Sequence, residues 1–453
     1  MQRVRCILTF AFGVLYLINV FVGSTALGAV TVALLLVVLV MSLLSITGTS
    51  RLIAAVFLGI GAVLLALSGA TGELWVKALM ENAQLIAMFI MVPLIAIPVR
   101  HGGYLESLQS LFSQHAGTRS RYYGLVSLLT SLLGVLVSIA SVPLAYEVSQ
   151  AGRFRNDTRL LSTALSRGFA TCLVWSPTCA TAALALSLTG ANWLSFLPAA
   201  VACCLAAGAV GWAMVALRGW RGSGPEPLGQ GEQGRLEVGK LMQLLAFSAA
   251  FIGIVMTTAG LFGFSVIVGV ALASLAFPLV WMACIRRLPE FAMQVREDYV
   301  GKRLPQFKGQ VTLFTAAGVL ACGINASGLG EQLVSALMHL IGHDVLTLTI
   351  LVLALGILLS AVGVHPIVYT TVIGGSLASG QVGVTPEYLA LLLCVTWALG
   401  NAACPTSANS IAVSQLTECS PFKLALNWNV AYVVAATIVV VALLTAMRLI
   451  GVV

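Results

Sequence analysis

The chain has 453 residues, of which 59% are hydrophobic and only 8% charged, against about 25% charged in a soluble domain. Apolar stretches of about 20 residues, each long enough to cross a bilayer, recur from end to end, so a soluble enzyme is excluded. The net charge of +8 points away from nucleic acid and is read as topology, because Lys and Arg gather on the cytoplasmic side of membrane proteins.

In chain order, apolar periods predict spans at 6–22, 27–47, 52–70, 85–100, 122–152, 159–190, 194–217, 240–259, 261–283, 311–326, 345–379, 386–418 and 424–447. The first has a basic start and no clear small-residue cleavage site, so it is expected to be retained as a span. Two shorter stretches, 104–117 and 329–342, are predicted to be amphipathic helices at the interface. The run 296–310 is expected to be a solvated cytoplasmic loop. The ten cysteines show no metal-ligand spacing and are read as small buried hydrophobes.

Charge then fixes a topology. If 122–152 and 345–379 are re-entrant hairpins and the N-terminus is cytoplasmic, all of the 23 Lys and Arg except Lys77 and Arg448 fall at or near the inner face. A full crossing at either segment would destroy that asymmetry. The expectation is an all-α polytopic membrane protein with about 11 full spans, its C-terminus extracytoplasmic, in the plasma membrane and of bacterial inner-membrane type.

The chain also repeats itself. "GVLVSIASV" (134–142) matches "GILLSAVGV" (356–364), "GYLESL" (103–108) matches "GLGEQL" (328–333), and "SPTCATA" (176–182) matches "CPTSANS" (404–410), each offset by about 225 residues. The division predicted is an extra N-terminal span (1–26), a first repeat (27–217), a Gly-rich cytoplasmic linker (218–239) and a second repeat (240–453). An odd number of crossings in each half makes the repeats inverted, each with one re-entrant hairpin and one broken transmembrane helix. Inverted repeats are a signature of secondary transporters, whose site lies at the midplane between the copies.

Candidate site residues follow from backbone chemistry. Pro177 and Pro405 remove an N–H and clash with the preceding turn, breaking their helices. The freed polar groups need protein or a watery cavity, and half-helix N-termini favour anions. Ser176, Thr178, Thr181, Thr406, Ser407 and Asn409 add neutral donors and acceptors there. Each hairpin tip carries a serine, a small residue and a proline: Ser141 and Pro143 in the first, Gly363 and the adjoining His365 in the second. His365 is placed at the midplane, either as a substrate or proton-coupling group or as a neutral imidazole bonded to backbone. Glu147 is either a coupling carboxylate or an interfacial charge, and Arg167 either binds an anion or snorkels to the inner face. Trp175 and Trp397 flank the breaks and either shape the cavity or simply pack.

The order of interfacial helix, serine-containing hairpin and broken helix, twice and inverted, resembles the ion transporter superfamily, especially its divalent anion/sodium symporter and citrate transporter branch. That resemblance implies a scaffold part and an elevator-like transport part, a homodimer, and carboxylate substrates carried with sodium or protons. Ser138 and Ser360 match the serine or threonine preceding each tip in that branch, which implies ion coupling there together with Gly363. The branch's Ser-Asn-Thr tip motif is absent: Val142–Pro143–Leu144 and Val364–His365–Pro366 stand in its place.

The function expected is secondary active transport of a small anion, most plainly an organic carboxylate, by elevator-type alternating access. Sodium ions are the only bound cofactor expected, and the protein is not expected to be an enzyme. Alternatives are the membrane subunit of a binding-protein-dependent three-component system, and a cation/proton antiporter.

Overall fold

Inside a bilayer an apolar segment has only its own backbone to satisfy its amides, which leaves helices as the open-chain solution. The computed structural model describes residues 2–217, 237–330, 332, 335, 344–364, 366–377 and 383–452, and among them every regular element is helical. Among the described residues, eleven helical stretches are long and apolar enough to span a membrane. By length this set includes Arg119–Ser149, within which the chain turns, and omits the shorter apolar helix Arg51–Leu67. The total thus agrees with expectation after one exchange of membership. The linker at 218–236, most of the stretch 331–343 and His365 lie outside the described residues.

Contacts group the chain into two compact units that do not follow the repeat boundaries: 1–98 with 249–340 and 371–381, and 99–248 with 341–370 and 382–453. The first holds α1 (Gln2–Val22), α2 (Thr25–Ser45), α3 (Thr49–Leu67), α4 (Gly72–Met80) and α5 (Ala83–Met91). α6 (Ala96–His101) follows a 3-10 turn at Val92–Ile95 opened by Pro93. The predicted span 85–100 is therefore longer and crooked. It begins at α4, where Glu73 in the first turn and Lys77 in the last each suit the helix dipole.

Small residues join the middle of this unit. A Cβ on Gly61 of α3 would come within 2.7 Å of the Val319 carbonyl on α16 (Lys308–Ala326), and one on Gly323 within 2.8 Å of Gly61 O. Backbones approach this closely only across glycine, a common solution where lipid supplies no hydrophobic drive. Leu65, Ala78, Val319 and Cys322 form a core cluster beside that seam, and Asn82 Nδ2 donates to Phe314 O at 2.9 Å.

The expected loop at 296–310 is instead helical. α15 (Leu288–Gln294) runs into a π-helix at Val295–Arg303 and a 3-10 turn at Leu304–Phe307 before α16. Arg296, Glu297 and Lys302 face out, but Tyr299 is buried and its hydroxyl donates to Ile90 O at 2.6 Å. One tyrosine and one leucine, Leu304, turn an otherwise polar run inward.

The second unit carries the first hairpin, the second hairpin as far as Thr370, and both broken helices. α7 (Tyr104–His115) is the predicted amphipathic helix, yet Tyr104, Ser107, Ser110 and Phe112 are buried, so it packs into protein more than it floats. α8 (Arg119–Val137) turns at Ser138–Ala140 and returns as α9 (Ser141–Ser149), packed against α8. α10 (Thr158–Trp175) and α11 (Ala180–Thr189) form the first broken helix, followed by α12 (Trp193–Leu217). α13 (Val238–Phe262) belongs to this unit only as far as Ser248, α14 (Val266–Cys284) belongs to the first, and α17 (Val345–Ala361) returns to the second. α18 (Pro366–Leu377) folds back at Gly363, where Ser360 Oγ meets the Tyr369 hydroxyl at 3.3 Å. α19 (Pro386–Ala403) and α20 (Ala408–Thr417) form the second broken helix, and α21 (Val430–Leu449) closes the chain after a π-helix at Leu424–Trp428.

Candidate functional site

Both proline breaks sit where the sequence places them. α10 ends at Ser176, and Pro177 and Thr178 bridge to α11; α19 ends at Cys404, and Pro405 and Thr406 bridge to α20. Each break is tied to its own hairpin by the same residue type. Thr178 Oγ1 donates to Val135 O at 2.8 Å, with Gly134 O at 3.3 Å, and so caps the carbonyl end of α8. Thr406 Oγ1 donates to Gly363 O at 3.4 Å. Behind each threonine stands the repeat-matched neighbour, Ser176 Oγ at 3.0 Å and Cys404 Sγ at 3.3 Å. The internal repeat is thus a repeated three-dimensional joint.

The two breaks do not share a level. Asn409 Nδ2, in the first turn of α20, donates to Ser166 O at 3.1 Å, and Asn429 Nδ2 links Ala402 O at 3.0 Å to Ser166 Oγ at 3.1 Å. Both sides of the second break are therefore fastened at Ser166, while the first break starts at Ser176. At 1.5 Å per residue that separation is about 15 Å along α10. Ser162 Oγ bonding Thr417 Oγ1 at 2.8 Å shows that α20 runs antiparallel to α10. The expectation of one shared depth becomes a staggered pair, each break closed by its hairpin tip.

Several buried polar atoms in this unit have no hydrogen-bond partner: Ser141 Oγ, Thr181 Oγ1, Asn401 Oδ1, Asn409 Oδ1 and Trp175 Nε1. Buried polar groups in proteins are nearly always satisfied, so unpartnered ones beside helix breaks mark a place for a ligand. The breaks differ in character. α20 has its N-terminus capped by Ser407 Oγ, which accepts from Ser410 N at 3.1 Å, whereas α11 has no side-chain cap. The first break thus offers bare N–H groups, and the second offers amide oxygens.

Ser138 is the sharpest feature of the first tip. It holds φ +49°, a left-handed value that favours glycine, and its Oγ lies 3.8 Å from Cys179 Sγ. Strain of this kind concentrates at functional sites. At the second tip Gly363 takes φ +94° without penalty. Pro143 lies in the first turn of α9, where its missing N–H costs nothing. Ser360 is buried against Tyr369, whose hydroxyl donates onward to Thr396 O at 3.3 Å. Glu147 is exposed, which fits the interfacial reading better than the coupling one. Seven of the ten cysteines are buried, as small hydrophobes would be, but Cys204 and Cys419 are half-buried and Cys284 is exposed; among the described residues no group of His, Cys, Asp and Glu is arranged to hold a metal ion.

Arg167 departs from expectation. It does not snorkel: it is 2% exposed, with Nε donating to Asn429 Oδ1 and Nη2 to Trp428 O, both at 2.9 Å. Its guanidinium lies 4.6 Å from the Tyr432 ring centroid. The partner comes from a segment 262 residues away, which no local pattern announces. Asn401, Ser166 and Asn429 were likewise missed as site residues, although an asparagine inside an apolar run is a visible signal. A cavity of about 380 Å³ is lined by Arg167 and by no other of the sequence-predicted candidates.

No protein-family model matches the chain, and no curated protein matches by sequence. Solved structures do. The YdaH transporter of Alcanivorax borkumensis superposes with a TM-score of 0.59 at 14% identity, covering 88% of this chain and 98% of that one. MtrF of Neisseria gonorrhoeae, described as illuminating a class of antimetabolite efflux pumps, gives a TM-score of 0.47 at 12% identity over 86% of this chain and 94% of its own. The similarity to YdaH is one of fold, over nearly the whole of both chains.

Proposed function

We propose that the chain is a secondary active transporter of a small organic anion, most plainly a carboxylate, driven by a sodium or proton gradient. One observation carries this reading: two inverted, proline-broken helices in one compact unit, each locked to a hairpin tip, with buried unpartnered polar atoms between and beside them. In a bilayer such groups are costly unless something binds them. The shared fold with a transporter supports the same reading.

Roles follow from the asymmetry of the two breaks. The uncapped N-terminus of α11, with Ser141, Ser176 and Thr181, favours the anion, because free N–H groups and the helix dipole both attract negative charge. The amide oxygens of Asn401 and Asn409 near the second break favour a cation. Ser138, Ser360 and Gly363 shape the tips that close over each. His365, at the second tip, is the residue that would carry a proton if protons drive the cycle. Alternating access would be of the elevator type, with the unit that holds both breaks carrying the solute.

The test is uptake into proteoliposomes of a panel of mono-, di- and tricarboxylates under an imposed sodium or proton gradient. Saturable, gradient-dependent uptake of at least one is expected. Flux of all panel members that neither saturates nor responds to a gradient would reject the proposal. Full proton-driven uptake by His365→Ala would remove the histidine from the cycle.

A further inference from the structure

The cavity beside Arg167 is a groove between α8 and α12, floored by α10 and α21 and lined by Tyr123, Ser131, Arg167, Cys204, Gly208 and Trp212 among others. Its volume of about 380 Å³ falls within the range of small-molecule sites. The rim is apolar and open: Leu128 is 54% exposed, Leu205 66% and Trp212 49%. Arg167 lines the groove, and its guanidinium keeps one buried nitrogen, Nη1, without any hydrogen-bond partner. No described carboxylate pairs with Arg167; its neighbours are the neutral Asn429, the Trp428 carbonyl and the faces of Tyr123 and Tyr432. A buried, uncompensated cation inside a membrane protein is costly and marks a function.

The geometry points to a second binding site in this groove, for a single-chain amphiphilic monoanion drawn from the bilayer, such as an acyl-chain carboxylate. One positive charge with one free nitrogen matches one carboxylate. Greasy walls match an apolar tail, and a mouth framed by exposed leucines admits ligands from lipid more readily than from water. Depth argues against an ordinary phospholipid headgroup. Arg167 lies nine residues beyond Thr158, the first residue of α10, or about 14 Å along the axis, below the level at which phosphates sit. The carboxylate rests on Nη1, and the tail runs outward past Leu128, Leu205 and Trp212. This site is separate from the two breaks, since neither 176–182 nor 404–410 contributes to its lining.

The experiment is photo-crosslinking of the reconstituted protein with a diazirine-bearing long-chain fatty acid, followed by peptide mapping. The key variant is Gly208→Leu, because Gly208 lines the groove and a Cβ there meets nothing within 4 Å, so a larger side chain starts into open space. Label is expected on the α8 and α12 segments 123–131 and 204–212, competed by unlabelled fatty acid and reduced at least tenfold by Gly208→Leu. Arg167→Gln should abolish the preference for the acid over its methyl ester, while Arg167→Lys keeps part of it. If Arg167→Gln does not fold, Gly208→Leu alone decides. Label spread over all apolar helices and untouched by Gly208→Leu would overturn the proposal, as would equal labelling by the ester in the unmodified protein. Competition by acetate or inorganic phosphate as strong as by the fatty acid, or by an acidic phospholipid alone, would also overturn it, by naming a different source for the anion.

Discussion

Ser138 allows backbone strain and side-chain function to be separated by one pair of variants. Its φ of +49° with ψ −130° lies in a sparsely populated region that costs an L-residue about 1–3 kcal/mol. Glycine removes that cost, while its extra freedom in the unfolded chain offsets about 0.4–1 kcal/mol. Ser138→Gly is therefore expected to gain between zero and about 2.5 kcal/mol, and Ser138→Ala, which keeps the strain, to gain nothing. Both lose the hydroxyl that lies beside Cys179 Sγ at the first break. Thermal unfolding in detergent should thus place the glycine variant at or above the parent by about 0–5 °C, with the alanine variant at or below it. Proteoliposome uptake should fall in both, and by similar factors. A glycine variant that is clearly less stable than the alanine variant would refute the strain argument. One that transports like the parent would refute a role for the hydroxyl.

Three further outcomes test the joints. Gly168→Ala puts a methyl 2.5 Å from the Ser127 carbonyl oxygen, so α8 and α10 must separate, at about 1–3 kcal/mol; a lower unfolding temperature and weaker uptake are expected. Thr178→Val leaves the Val135 carbonyl unsatisfied, at about 1–3 kcal/mol, and hydrogen exchange should quicken over 134–141. Thr406→Val should be milder, because Thr406 is exposed and its bond to Gly363 O is longer, at 3.4 Å. Asp344 caps α17 through its bonds to the backbone of Leu346 and Thr347 and to the Thr347 hydroxyl, and the Thr347 bonds hold its carboxyl below the ordinary range. A depressed folded-state value means that the cap stabilises above the usual carboxylate range and fails as pH falls through the lowered one. Exchange in the first turn of α17 should rise at acid pH in the parent and be high and pH-independent, beyond the chemical rate, in Asp344→Ala.

Prolines and repeats were legible because they act locally. Pro177 and Pro405 break whatever helix holds them, and a matched heptad at matched places announces a joint before any contact is known. The turn within 122–152 was legible from charge asymmetry, and the structure turns at Ser138. Long-range partners were not legible. Arg167 sits at a depth from which a lone arginine would snorkel, and only Asn429 and Trp428, brought in by the π-helix at Leu424–Trp428, keep it inside. The run 296–310 carries so much charge that its inward face, Tyr299 and Leu304, is hidden in the composition. The stagger of the two breaks depends on how α10 and α20 slide past each other, and hydropathy has no term for that.

Asn429 joins three parts of the molecule with one amide. Its oxygen receives the guanidinium of Arg167, and its nitrogen serves the last turn of α19 and the serine of α10 to which Asn409 is also bound. Rotating that side chain would strip Arg167 of a partner and uncap the second break in the same movement. An occupant of the groove that moves Arg167 would thus disturb the second break through Asn429, and by reciprocity an occupant of the break would be felt in the groove.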